Sequence, residues 1–140
     1  HKIQKTYAAI VKGQISLDRQ MIDAPLLRYE LANGERRVRV TSEGKPSKTD
    51  LKVVERFKTA TLVHASPLSG RTHQIRVHGL SIGHPLVGDD KYGHNTAYKG
   101  PEARRLCLHA MRLEIPNYPV IEAPMPEDMQ QVINELRKQK

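Results

Sequence analysis

Disulfides, an indole core and a membrane helix are all absent from this chain. It has one cysteine, Cys107, so it can form no internal disulfide framework and no thiol set for structural zinc. A lone thiol fits a reducing, cytoplasmic setting. There is no tryptophan and a single phenylalanine, Phe57, so a core must be built from aliphatic side chains and a few tyrosines. No apolar run is long enough to span a bilayer, and no basic-then-apolar signal segment opens the chain. Metal-binding patterns are missing too. His73, His78 and His84 are spaced five and six apart, with no H-E-x-x-H and no cysteine cluster, so no metal is expected. Neither glycine-rich phosphate loop, G-x-x-x-x-G-K-[ST] or G-x-G-x-x-G, occurs, and nothing resembles a nucleophile elbow.

Positive charge is abundant. Lysine and arginine total 23 against 15 acids, a formal charge of +8 over 140 residues. The excess is concentrated early: residues 1–60 hold 13 basic and 7 acidic side chains, residues 61–140 hold 10 and 8. Such a surplus attracts polyanions, nucleic acid above all, although charge alone does not separate an RNA binder from a merely soluble basic protein. The length suits one domain or part of one. His1-Lys2-Ile3-Gln4-Lys5 has no initiating Met, cap or turn residue, so the chain reads as entering in mid-structure, as a piece of a longer polypeptide.

Short apolar stretches bounded by turn residues predict strands. KTYAAIVKG (5–13) is the first, followed by a polar connection to Pro25. LLRYEL and RRVRV flank Asn33-Gly34, a tight hairpin over 26–41. In its second strand Val38 and Val40 alternate with Arg37 and Arg39, giving one apolar and one cationic face. Residues 42–48 read as a lysine-bearing loop, then TDLKVVERF and TATLVHAS as two strands joined through Lys58-Thr59. Thr72 is placed to cap a helix from about His73 to Leu80, ended by Gly83 and Pro85. GDDKYG (88–93) is a turn, 94–105 a polar loop, LCLHAMRLEI (106–115) a central strand with apolar groups on both faces, and VIEAPMP a short extended piece. Met129, Val132, Ile133 and Leu136 recur at i, i+3, i+4, i+7, the stripe of an amphipathic helix. The expected fold is α+β: a mainly antiparallel mixed sheet with few helices.

The densest chemistry lies in GRTHQIRVH (70–78). Arg71 and Arg76 are five apart, about 140° around a helix, so one can meet a phosphate while the other points inward. A buried arginine needs a carboxylate. No acid lies within the motif, so the partner must come from elsewhere.

GRTHQIRVH, followed by GHPLVGDDKYG (83–93) and LCLHA (106–110), resembles the C-terminal part of the catalytic domain of RluA-type pseudouridine synthases. KTYAAIVKG resembles that family's K-x-Y-x-A-x-V-x-G strand. Residues 24–49 and 120–129 resemble members that act on large-subunit (23S) ribosomal RNA. The resemblance spans essentially all 140 residues in order. It implies the pseudouridine synthase fold and isomerisation of specific uridines in RNA, without metal or organic cofactor, by an enzyme monomeric at full length. It also implies roles. Arg76 pairs with the family's catalytic Asp, Tyr7 lies against the target base, and Leu108 packs on the base pocket. Arg71, His73 and Gln74 line the substrate site. The cationic face of Arg37 and Arg39, with the lysines of 42–48, is expected to contact RNA phosphates. Asp89 and Asp90 fall in the family's G-D-x-x-Y-G turn, where loop structure is the expected job. The catalytic Asp belongs to an H-R-L-D-x-x-T-S-G motif upstream, which these residues do not contain, and an S4-like RNA-binding domain is likewise not among them. This stretch alone is therefore expected to be inactive. The alternative is a non-catalytic RNA-binding module on the same scaffold. A structural protein without an RNA partner fits the charge and motifs less well.

Overall fold

A computed structural model describes residues 3–93 and 97–139. Among them run β1 (Gln4–Lys12), β2 (Arg19–Asp23), β3 (Leu26–Glu30), β4 (Arg36–Val40), β5 (Lys48–Arg56), β6 (Ala60–Pro67), α1 (Gln74–Ser81), β7 (Leu108–Glu114), β8 (Ile121–Glu122) and α2 (Glu127–Lys138). Six strands form one sheet in the order β2-β5-β6-β1-β7-β8, and β3-β4 form a separate hairpin. The class is α+β, as expected, and every pairing between described strands is antiparallel. The reading of His1-Lys2 as a mid-structure start, and part of the 94–105 loop, fall outside the described residues.

Alternation in β1 sorts the core into two layers. Ala8 and Ile10 face α2, where Met129, Val132, Ile133 and Leu136 close over them. Ala9 and Val11 face the other way and pack with Ile75 of α1, Val63, Ala65 and Leu86. Both faces of β1 and β6 are covered, which is why their sequences are apolar at odd and even positions alike. The hairpin lies beyond α1 and closes a third small cluster of Leu26, Val38, Val77 and Tyr92. α1 and its preceding turn are thus held between the sheet and the hairpin.

Several expectations are revised. The segment 14–25 contains an edge strand, β2. Its apolar pair Met21-Ile22 is adjacent rather than alternating, with Met21 pointing to solvent and Ile22 buried, so the period-2 signal is hidden. The loop between β3 and β4 is longer than a two-residue turn. The Gly34 amide bonds the Leu31 carbonyl and Leu31 bonds Glu35, with Gly34 at φ +86°, so the glycine closes a turn with a bulge. β7 lies inside the sheet order, between β1 and β8, as expected of a central strand, but its faces are only partly covered. Within β7 no residue is fully buried, and the buried Cys107 comes just before it. α1 begins one residue later than expected, and Thr72 does not cap it. His73 takes the N-cap position in the left-handed region (φ 53°) with no side-chain capping bond.

Candidate active site

The GRTHQIRVH segment is a turn followed by a helix, and its polar side chains divide the work. Gln74 is 4% exposed, and its amide is fully committed. Its Oε1 accepts from the Ser69 hydroxyl (2.7 Å) and the Arg71 amide (3.2 Å), while Nε2 donates to the Lys48 carbonyl (2.8 Å) and Thr49 Oγ1 (3.0 Å). Two acceptor sites and two donors exhaust its capacity. Gln74 therefore has a structural task, pinning the Ser69–Arg71 turn to β5. His78 continues the chain of bonds. Its Nε2 meets the Ala24 carbonyl, which can only accept, so Nε2 carries the proton and Nδ1 accepts from Thr49 Oγ1 at 2.7 Å. Burial lowers the His78 pKa, against the opposing pull of the Ala24 carbonyl and Asp23, and so favours this neutral form.

Arg76 finds its carboxylate inside this chain. Nε donates to Asp89 Oδ2 at 2.9 Å and Nη2 to Oδ1 at 2.7 Å, a bidentate pair. The Asp89 side chain is fully buried, and Oδ1 also accepts the amides of Lys91 and Tyr92 at 3.0 Å each. Burial pushes the Asp89 pKa up, but the Arg76 bond and the two amides outweigh it and hold the carboxyl below its ordinary value. The carboxylate comes from outside the motif, as expected, but from a turn of this same chain to which only loop structure was ascribed. The acid lies in the G-D-x-x-Y-G turn, which Gly88 (φ +82°) lets fold back under the helix. The Nη1 group of Arg76 makes no hydrogen bond among the described residues.

Tyr92 completes the clamp. Its ring centre lies 5.2 Å from the Arg76 guanidinium, within cation–π range. Its hydroxyl accepts the Val38 amide at 3.0 Å and lies 2.8 Å from His73 Nδ1. Burial raises the Tyr92 pKa, so the phenol keeps its proton and donates it to His73. His73 is held neutral in turn, first by burial and then by the nearby charges of Arg76 and Lys91. Asp89 and Tyr92 were missed as site residues, although two polar groups three apart in a glycine-bounded turn were the available signal.

These elements surround an open cavity of about 360 Å³. Tyr7, Arg71, His73, Gln74, Arg76 and Leu108 all line it, with Lys5, Ser69, Gly70 and Leu106. Tyr7 pairs across the sheet with Ala110 and Leu108 with Ala9, so the ring and the leucine are diagonal neighbours on one face. The volume is at the low end of the roughly 300–1,000 Å³ typical of small-ligand sites. Its walls are half apolar sheet and half cationic turn.

Arg37 and Arg39 do not join this cavity. They line another, between the hairpin and α1. Arg37 is already engaged, by Glu35 (3.3 Å) and the Lys91 carbonyl (3.4 Å), and its guanidinium lies 6.0 Å from the Tyr92 ring centre. Arg39 is exposed and lies over Tyr29 at 5.3 Å. The expected apolar face of β4 is only half realised, since Val38 is buried but Val40 is 43% exposed.

Residues 1–81 match a family described as RNA pseudouridylate synthase. The chain is 48% identical over 144 aligned residues to ribosomal large subunit pseudouridine synthase C of Yersinia pestis. It is 45% identical to the protein of that name in Escherichia coli strain K12. These alignments take in 97% and 96% of the chain but 45% and 46% of the relatives, so it spans about half their length. Among solved structures, human RNA pseudouridylate synthase domain containing 1 superposes with TM-score 0.74 at 30% identity, over 98% of this chain and 66% of that one. Human RNA pseudouridylate synthase domain containing 4 shares the fold, with TM-score 0.76 at 22% identity over 96% and 62%. The matched segment contains Tyr7 and the whole turn and helix that carry Arg76, and on that match and these relatives the chain belongs to the RNA pseudouridylate synthase family.

Proposed function

We propose that the protein containing this chain converts uridine to pseudouridine in large-subunit ribosomal RNA, and that the chain supplies the base-binding half of the active site. The observation that carries the reading is the convergence of Tyr7, Arg76 and Leu108, from three separate segments, on one cavity. An RNA base must leave its stack to be reached, and an aromatic face with an aliphatic wall suits a flipped pyrimidine. In this reading the carboxylate that acts at the sugar comes from outside these 140 residues and meets Arg76 at Nη1, the edge that Asp89 leaves open. Arg76 then holds two carboxylates at once, one structural and one reactive. Ion pairing fixes the direction of the reactive one and keeps it charged. The Lys and Arg excess supplies phosphate contacts, so RNA affinity falls with salt.

The test is tritium release from C5-labelled large-subunit ribosomal RNA. The full-length protein is expected to release tritium and its Arg76→Ala variant to lose that activity, while the 140 residues alone release none. Near-normal turnover by Arg76→Ala would remove Arg76 from the chemistry. No release by the folded, RNA-bound full-length protein would favour a binding module instead.

A further inference from the structure

A second cavity, of about 390 Å³, adjoins the first and has a different lining. The two share Gly70 and Arg71. Its other residues include Arg28 of β3, Lys45 of the loop between β4 and β5, Thr72, Leu26 and Val38. Three cations and no acid line it. That is unusual in this molecule, where many arginines are neutralised locally: Arg19 by Asp50, Arg56 by Asp18, Arg76 by Asp89, Arg137 by Glu55. Among the described residues no ion pair includes Arg28, Lys45 or Arg71.

The three cations are gathered by the backbone. Leu26 and Lys45 exchange amide-to-carbonyl bonds of 3.0 and 2.9 Å, docking the 41–47 loop onto β3. Gly44 permits that approach, since a Cβ there would stand 2.5 Å from the Leu26 carbonyl carbon. Arg28 follows Leu26 by two residues and so leans to the same side of the strand. Arg71 reaches across from the other wall, donating through Nη2 to the Pro46 carbonyl at 3.2 Å. A loop held this closely keeps the Lys45 and Arg71 heads on one opening without a carboxylate to satisfy them. Phosphodiester oxygens supply the missing acceptors, and Arg, Lys and Thr side chains are their usual donors.

We infer that this cavity is a phosphodiester subsite, in which Arg28, Lys45 and Arg71 hold the RNA backbone next to the nucleotide whose base enters the Tyr7 cavity. The inference rests on the proposed RNA reading of that neighbouring site. Arg71, shared by both cavities, sets the spacing between flipped base and gripped backbone. The subsite reads no base edge, so it adds affinity and register but no sequence preference.

The test measures binding of large-subunit ribosomal RNA to the full-length protein as a function of salt. Each cation–phosphate contact contributes roughly 0.7 to 0.9 to the slope of log affinity against log salt. Arg28→Ala or Lys45→Ala should each lower the slope by about that amount, and a triple variant with Arg71→Ala by about 2 to 3. Lys45→Arg should keep the slope. Lys138→Ala, on the helix across the sheet, should leave it unchanged. All four positions are exposed, so the variants should fold, which thermal melting checks. If RNA binds and the triple variant keeps the parental slope, the subsite is overturned while the RNA reading stands. If the unaltered full-length protein fails to bind RNA at low salt, both fall. If poly-glutamate binds as tightly as RNA and depends on the same three residues, the site is a general anion patch and the phosphodiester assignment fails.

Discussion

Replacing Asp89 by asparagine tests the clamp on Arg76 with almost no change of shape. Oδ1 accepts three bonds, from Arg76 Nη2, Lys91 N and Tyr92 N, whereas Oδ2 accepts only Arg76 Nε. An asparagine that keeps its oxygen at the Oδ1 position retains three of these four contacts. It then sets an amide NH₂ against the Arg76 Nε–H, donor against donor. The cost combines a lost charge-assisted bond with an arginine left short of its counter-ion. Breaking a buried pair by removing one partner costs about 3–5 kcal/mol. With three contacts retained and Arg76 14% exposed, about 2–3 kcal/mol is the expected loss. For a domain of this size that lowers the melting temperature by roughly 6–12 °C. The pH dependence gives a second reading. The Asp89 pKa is depressed in the fold, so its stabilisation is present above the unfolded value of about 3.9 and is lost as pH falls through the lower folded value. The unaltered chain should therefore lose stability more steeply than Asp89→Asn below about pH 4, and the two curves should converge there. Chemical denaturation between pH 2.5 and 7 measures both. Equal melting temperatures with parallel pH curves would refute the clamp.

Thr49→Val removes the donor to His78 Nδ1 and an acceptor for Gln74 at a buried position, and should cost about 1–3 kcal/mol by denaturant unfolding. His78 should titrate below the ordinary value of about 6.5 when followed by NMR. Because its folded pKa is lowered, its contribution to stability is complete above about pH 6.5 and declines as pH falls toward the folded value. Gly88→Ala meets both a φ of +82° and the Arg105 carbonyl, and should lower stability by about 2 kcal/mol or more in the same assay. Tyr7→Phe in the full-length protein should keep RNA affinity within about twofold, since the ring remains. Unchanged tritium release would confine Tyr7 to stacking.

Sequence pattern revealed most where one residue type could do only one thing. The α2 stripe is visible because its four apolar residues recur at helical spacing and all four are buried. β1 and β6 are visible because unbroken apolar runs need two covered faces. β2 was hidden because an edge strand tolerates an exposed Met21 beside a buried Ile22. The start of α1 was misplaced because Thr72 has the right chemistry for a cap. In the fold the Arg71 amide, just before it, is taken up by the Gln74 side chain.

The site shows the same limit on a larger scale. Tyr7, Arg76 and Leu108 were nameable from motifs, and the sheet register then brings the tyrosine and leucine together. What the motifs did not disclose is which charges are already spent. Arg37 stands in a cationic strand, yet Glu35 and a carbonyl occupy it. Arg28 drew no notice and Lys45 stood out only as one lysine of its loop, yet both keep their charge unpaired beside the base cavity. In a chain with eight excess positive charges, counting cations says little about where a polyanion lies. Subtracting the cations already held by carboxylates says more, because an arginine in a good ion pair must give up that pair to bind phosphate, whereas an exposed, unpaired one gives up only water. By that measure the proposed subsite at Arg28, Lys45 and Arg71, next to the Tyr7 cavity, is better placed to take a phosphate than Arg37 of β4.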